Sequence, residues 1–299
     1  MLWFQLRVLG LAPLVFIRMI PVFLVAGFAV YLFVTRVENP VIFWPVILGF
    51  YPPFLAFLAL SAVRAGLVTL RATGAPSLQS LYQMMWYFLR FNANLSIGLS
   101  ALAALPFSAY VLRTLDPELL QEIFDMITSF DLSDAQRTFG KLAPYTLPLA
   151  LIWTTSLSIA FGITGGAMGS TAASAAGRTE AHDRFWGYGR DMPGLTLLGL
   201  LVLVLPSIPV SLYLVPRLGE VEIAWPLTPA TEALTIILAY LGGALCVLAS
   251  GAALAYVRGK EEDVRRHVEE VEDMIGPQHA GADIRALREA RQARNHLSR

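Results

Sequence analysis

Residues 193–215 read PGLTLLGLLVLVLPSIPVSLYLV, 23 positions without an Asp, Glu, Lys or Arg. A hydrocarbon layer of about 30 Å, crossed at about 1.5 Å per residue, asks for about 20 such positions. The stretch is therefore long enough to span a bilayer as a helix. Residues 41–63, 93–112, 142–164 and 234–257 are equally free of charge. A sixth apolar run, 2–34, is interrupted only by Gln5, Arg7 and Arg18 and is too long for one straight crossing. Pro13 and Pro21 predict a break there. The expectation is a helix lying in the membrane surface over 2–17, followed by a crossing over 19–35.

The expected fold class is thus all-α, a polytopic integral membrane protein of six transmembrane helices with interfacial helices. Composition agrees: 56% of the chain is hydrophobic and 15% charged, against about 25% charged in soluble domains. No basic cluster precedes the first apolar run and no small-residue cleavage pattern follows it, which reads against a secretory signal. The charge-free stretches end at residue 257, giving a membrane domain of 1–257 and a charged helical tail of 258–299.

Lys and Arg resist translocation and so report sidedness. Seventeen of the 22 fall in segments on one side of the expected spans, among them Arg64, Arg71, Arg178 and Arg184. Arg36, Arg113, Arg137, Lys141 and Arg217 fall on the other, with Asp116, Glu118, Glu122, Asp125 and other acids. Both termini are expected in the cytoplasm. The compact loops suggest a bacterial plasma (inner) membrane.

The first, third and fifth spans begin alike, with Arg18, Arg90 and Arg190. The even spans end in small residues, as in Ser61-Ala62 and Gly165-Gly166. This suggests a threefold repeat of helical hairpins. If it packs about a pseudo-threefold axis, the three arginines stand at one depth, where guanidinium groups bind lipid phosphate or an anionic ligand. The alternative is that each anchors its own helix.

The long loop of 113–141 predicts two short helices. Asp116-Pro117 starts the first and a Ser133-Asp134-Ala135-Gln136 capping box the second. An amphipathic segment at 77–91 leads into the third span, and Phe185, Trp186 and Tyr188 are interfacial aromatics before the fifth. In the tail, Val264, Val268, Val271 and Ile275 form a narrow seam for a partner helix, ended by Gly276-Pro277.

Polar groups within the spans are few. Asn92, Asn94 and Ser96 step along the third, and Thr154, Thr155 and Ser158 cluster in the fourth. Helix packing is the first reading of these residues and a pore lining the second. The glycine-rich run 162–177 lacks the Gly-Lys-Ser/Thr ending of a phosphate loop, so Gly165, Gly166 and Gly169 are read as helix-packing positions followed by a loop. None of the four histidines pairs at metal-ligand spacing. His182-Asp183 is the one arrangement resembling an acid/base pair, and Cys246 stands alone inside the last span.

No metal, cofactor or nucleic-acid partner is expected. The expected function is that of a non-enzymatic membrane subunit in a larger assembly for transport or secretion. Its partners are the lipid bilayer and either another protein or further copies of itself. A stand-alone channel or permease is the alternative, and a lipid-processing enzyme using His182 and Asp183 the third reading.

Overall fold

The computed structural model describes residues 1–36, 54, 57–72, 89–90, 94, 104–129, 135–175, 186–214 and 231–275. Their regular structure is helical throughout. Among the described residues, four helices are long and apolar enough to cross a membrane, with candidate spans at Leu2–Ala29, Pro144–Ser174, Met192–Leu212 and Ala239–Val271. Of the expected second and third spans, residues 41–53, 55–56, 93 and 95–103 lie outside the described residues, as does nearly all of the amphipathic segment at 77–91.

Helix α1, Leu2–Arg36, carries Pro13 and Pro21 inside it without a break. This corrects the expected division into a surface helix and a separate crossing. A proline removes one backbone hydrogen bond, whereas ending a helix in an apolar medium strands several N–H and C=O groups. Both proline rings face outward. One stripe of α1 is buried: Phe4, Gln5, Val8, Leu11, Ala12, Val15 and Met19, three or four residues apart. Leu24, Val25, Phe28 and Tyr31 further along are exposed.

Helix α2, Phe57–Thr69, ends at a left-handed Arg71, with the Ala72 N–H donating back to the Leu67 carbonyl at 2.9 Å. Helices α3, Ala104–Thr114, and α4, Pro117–Ser129, flank Asp116. Its carboxylate accepts the Glu118 N–H at 3.1 Å, a helix cap at the position the sequence suggests. The second helix of this loop is not short. Ala135 opens α5, Ala135–Ala175, a single 41-residue helix. Lys141 of α5 reaches both carboxylate oxygens of Glu122 on α4, at 2.5 and 2.7 Å. Both side chains are well exposed, so this pair adds little stability.

Helix α6 joins Met192–Gly199, the wider π-helical turns Leu200–Val204 and Val210–Leu214, and Leu205–Pro209 between them. Pro206 lacks the N–H that would bond four residues back, at Val202. The Tyr240 hydroxyl, from the next helix, donates to that Val202 carbonyl at 3.0 Å. A side chain thus takes over a backbone bond the proline cannot make.

Helix α7, Thr231–Ile275, is continuous. The chain forms two compact units, Met1–Tyr256 and Val257–Arg299. In the second, the described residues continue α7 with Val264 exposed and Val268 and Val271 half-buried. The side chain of Ile275 and everything after it lie outside the described residues.

Candidate functional site

Among the described residues, the second half of α5 meets α6 and α7 at close quarters. The cause is side-chain size. A Cβ added at Gly166 would overlap the carbonyl oxygen of Gly187, and one at Gly162 would overlap the Thr196 hydroxyl. One at Gly169 would stand 2.6 Å from Tyr256 Cβ and 2.7 Å from the Ala252 carbonyl oxygen. Gly251 of α7 meets Leu198, Gly199 of α6 meets Ser158, and Gly66 of α2 meets Ala253 and Val15. The tight packing expected of Gly165, Gly166 and Gly169 is what surrounds them. The loop expected after them is not there, because α5 runs on to Ala175.

Residues 186–191, the sequence Trp-Gly-Tyr-Gly-Arg-Asp, turn across this junction and lead into α6. The turn needs left-handed backbone at Gly187 and Gly189, whose φ values are +92° and +72°. It is fastened to α5 twice. Gly187 lies against Gly166, backbone to backbone, and the Gly189 N–H donates to the Ile163 carbonyl at 2.8 Å.

The turn also carries a directional chain of hydrogen bonds. The Tyr188 hydroxyl donates to Asn94 Oδ1 at 2.5 Å, and Asn94 Nδ2 donates to Thr171 Oγ1 at 2.9 Å. The Thr171 hydroxyl donates to the Ala167 carbonyl at 2.9 Å. Asn94 and Thr171 are buried, and buried amides are expensive without partners. Burial pushes the Tyr188 phenol above its ordinary pKa of 10.0, and the nearby Arg90 charge pulls it partly back. The net shift is upward, so at neutral pH the phenol keeps the proton it donates.

Of the three arginines singled out in the sequence, Arg190 belongs to this turn. The Arg190 guanidinium stacks over Trp186 at 4.9 Å, and the Trp186 ring packs edge-on to Tyr256 at 5.3 Å. Arg90 is half-buried and close enough to act on Tyr188. Arg18 lies exposed on α1, and no described contact brings it to the turn.

Of the possible pore-lining residues, Asn94 is tied into the network above. Thr154 donates to the Ala150 carbonyl and Ser158 to the Thr154 carbonyl, each at 2.7 Å. Ser158 is fully buried against Gly199. Thr155 is half-buried on α5. Asn92, Ser96, His182 and Asp183 lie outside the described residues. Among the described residues no group of three His, Cys, Asp or Glu side chains could hold a metal ion.

Sequence reasoning did not find Gln5 or Thr171. Gln5 is buried in α1, its Nε2 donating to the Gly194 carbonyl at 2.7 Å while Phe4 packs on Gly194. A lone amide in an apolar run was the available signal. Thr171 had none, since its role depends on Asn94, 77 residues away.

Compared with known proteins, the chain matches no family model, no curated sequence and no solved structure.

Proposed function

We propose that this chain is a non-catalytic, membrane-embedded subunit of a larger transport or secretion assembly. In this reading it crosses a bacterial inner membrane six times and keeps both ends in the cytoplasm. One observation carries the functional part. Several described polar side chains in its apolar helices lie against or bond neighbouring segments. Ser158 faces Gly199, Asn94 links Thr171 to Tyr188, and Tyr240 serves the Val202 carbonyl. A transport path needs polar groups facing water, whereas a scaffold needs them facing neighbours.

The contacts support the alternating topology. Phe4 and Gln5 touch Gly194, Val15 and Ala253 lie at Gly66, Asn94 bonds Thr171, and Ala252 lies at Gly169. The charge bias assigns each of these positions to the cytoplasmic side, in the expected surface helix, at a span's cytoplasmic end or just beyond it, so segments expected on one side meet on one side. The threefold hairpin repeat stays in the proposal on its sequence pattern alone. The valine seam of the tail is the surface offered to a companion helix.

Pull-down of the tagged chain from native membranes in mild detergent, with mass spectrometry of what accompanies it, tests this reading. A companion in fixed ratio is expected, and removing residues 258–299 should weaken its capture. Recovery of the chain alone, with solute flux in liposomes that survives tail deletion, would favour a channel instead.

A further inference from the structure

The two halves of α6 are held to different degrees. In the first, Phe4 packs on Gly194, Leu195 and Leu198 are buried, and Gly199 has no room for a Cβ beside Ser158. From Leu200 to Leu212 only Ser207 and Ser211 are buried, while Leu201, Leu205, Ile208 and Leu212 are exposed. The backbone changes where the packing does. Leu200–Val204 widens into a π turn, with the Leu205 N–H reaching five residues back to the Leu200 carbonyl. Pro206 and Pro209 follow, each removing a backbone donor, and Val210–Leu214 widens again. Prolines and wide turns are where helices bend. Hydroxyls serve the carbonyls at this point. The Tyr240 hydroxyl lies 3.0 Å from the Val202 oxygen and 3.3 Å from the Leu203 oxygen, and Ser207 donates to the Val204 carbonyl at 2.7 Å. Ser207 belongs to α6 itself, whereas Tyr240 comes from α7.

We propose that α6 is hinged about Pro206, and that the Tyr240 hydroxyl is the latch tying this bend to α7. The first half of α6 is the fixed base, because its glycines are filled by neighbours. The second half, 205–214, is the arm, joined through turns wider than an α-helix. With the latch made, the Val202 carbonyl is satisfied. With it broken, no N–H at position 206 replaces the lost donor, and the bend is free to open. A bare carbonyl in an apolar medium is costly, so the latched form is favoured until another donor takes the place of Tyr240. The hinge rests on contacts within α6 and between α6 and α7, and is independent of the subunit reading.

Spin-label distances in the full chain, reconstituted in nanodiscs in a Cys246→Ala background, test the hinge. Labels at Leu212→Cys and Leu241→Cys, both exposed positions, report the arm against α7, and labels at Met192→Cys and Leu241→Cys report the base. With Tyr240 intact, each pair should give one narrow distance. Tyr240→Phe should broaden the Leu212–Leu241 distribution or add a second distance, and should leave the Met192–Leu241 distribution unchanged. Adding Pro206→Ala, which returns an N–H four positions after Val202, should restore the narrow distribution. A Leu212–Leu241 distance unmoved by Tyr240→Phe would overturn the latch. Equal broadening of both pairs, or broadening that survives Pro206→Ala, would overturn the hinge at Pro206. If the labelled variants do not fold, hydrogen exchange of the wild type decides. Amides of 207–214 should exchange about tenfold faster than those of 195–200, and equal protection would overturn the proposal.

Discussion

The two halves of α5 are both apolar, yet the bundle treats them differently. Among residues 144–155 no described side chain is buried, whereas from 164 to 174 every one is. The first half is bulky, with Tyr145, Leu147, Leu149, Leu151, Ile152 and Trp153. The second half is Gly, Ala, Ser and Thr, with Met168 the one large residue after Thr164. In water the bulky half would be the one driven inward. In lipid the surroundings are as apolar as leucine, so greasiness gives no preference and close backbone approach decides. The large side chains are left on the outside of the packed junction, as a lipid surrounding would allow, and the small ones let α6 and α7 come near.

The sharpest way to break this comparison is to exchange the sizes. Gly166→Leu places a side chain into the Gly187 carbonyl, where neither backbone can yield. The expected result is loss of folded, monodisperse protein, a cost above about 4 kcal/mol. Leu151→Ala in the first half should cost under about 1 kcal/mol, since that side chain is only half-buried. Size-exclusion profiles of the two variants in one detergent make the test. Equal damage from both would defeat the size argument.

Next in magnitude is the hydrogen-bond chain. Asn94→Leu strips a partner from both Tyr188 and Thr171 and should lower stability by about 1–2 kcal/mol, read as a lower unfolding midpoint. A smaller effect is expected at α6. Tyr240→Phe leaves the Val202 carbonyl without its donor, at about 0.6–1.7 kcal/mol. An unchanged midpoint would mean that another group serves the site of Pro206.

The smallest effect is one of pH. The phenol of Tyr188 titrates higher in the folded chain than its ordinary value of 10.0. The folded form therefore holds this proton longer than the unfolded form. Its contribution is fully present below pH 10 and is lost as pH rises through the folded value. The unfolding midpoint should fall above pH 10, and Tyr188→Phe should flatten part of that decline.

The helical class and the apolar spans were legible because a bilayer imposes a length that can be counted along the chain. The cap at Asp116 was legible because it is local. The unbroken course of α1 was not, since a proline reads as a breaker in water and is tolerated where ending a helix is worse. Nor was the extension of α5 to Ala175. Gly and Ser in that stretch look like loop formers until the opposing Gly187 and Ala252 are known. At the candidate site, Arg90 and Arg190 were visible as residues at span starts. The seating of Arg190 over Trp186 goes with a turn held by the Gly187–Gly166 contact, which no local pattern encodes. Arg18 shared their pattern, and no described contact brings it to the turn.

The most direct test asks whether the hydroxyl face of α5 is dry. In a Cys246→Ala background, Ser158→Cys places a thiol where the native hydroxyl sits fully buried against Gly199. With the protein reconstituted in liposomes, a membrane-impermeant maleimide should leave this thiol unlabelled until the chain is unfolded. Rapid labelling of the folded protein would put water along that face, and the packed-scaffold account would be wrong.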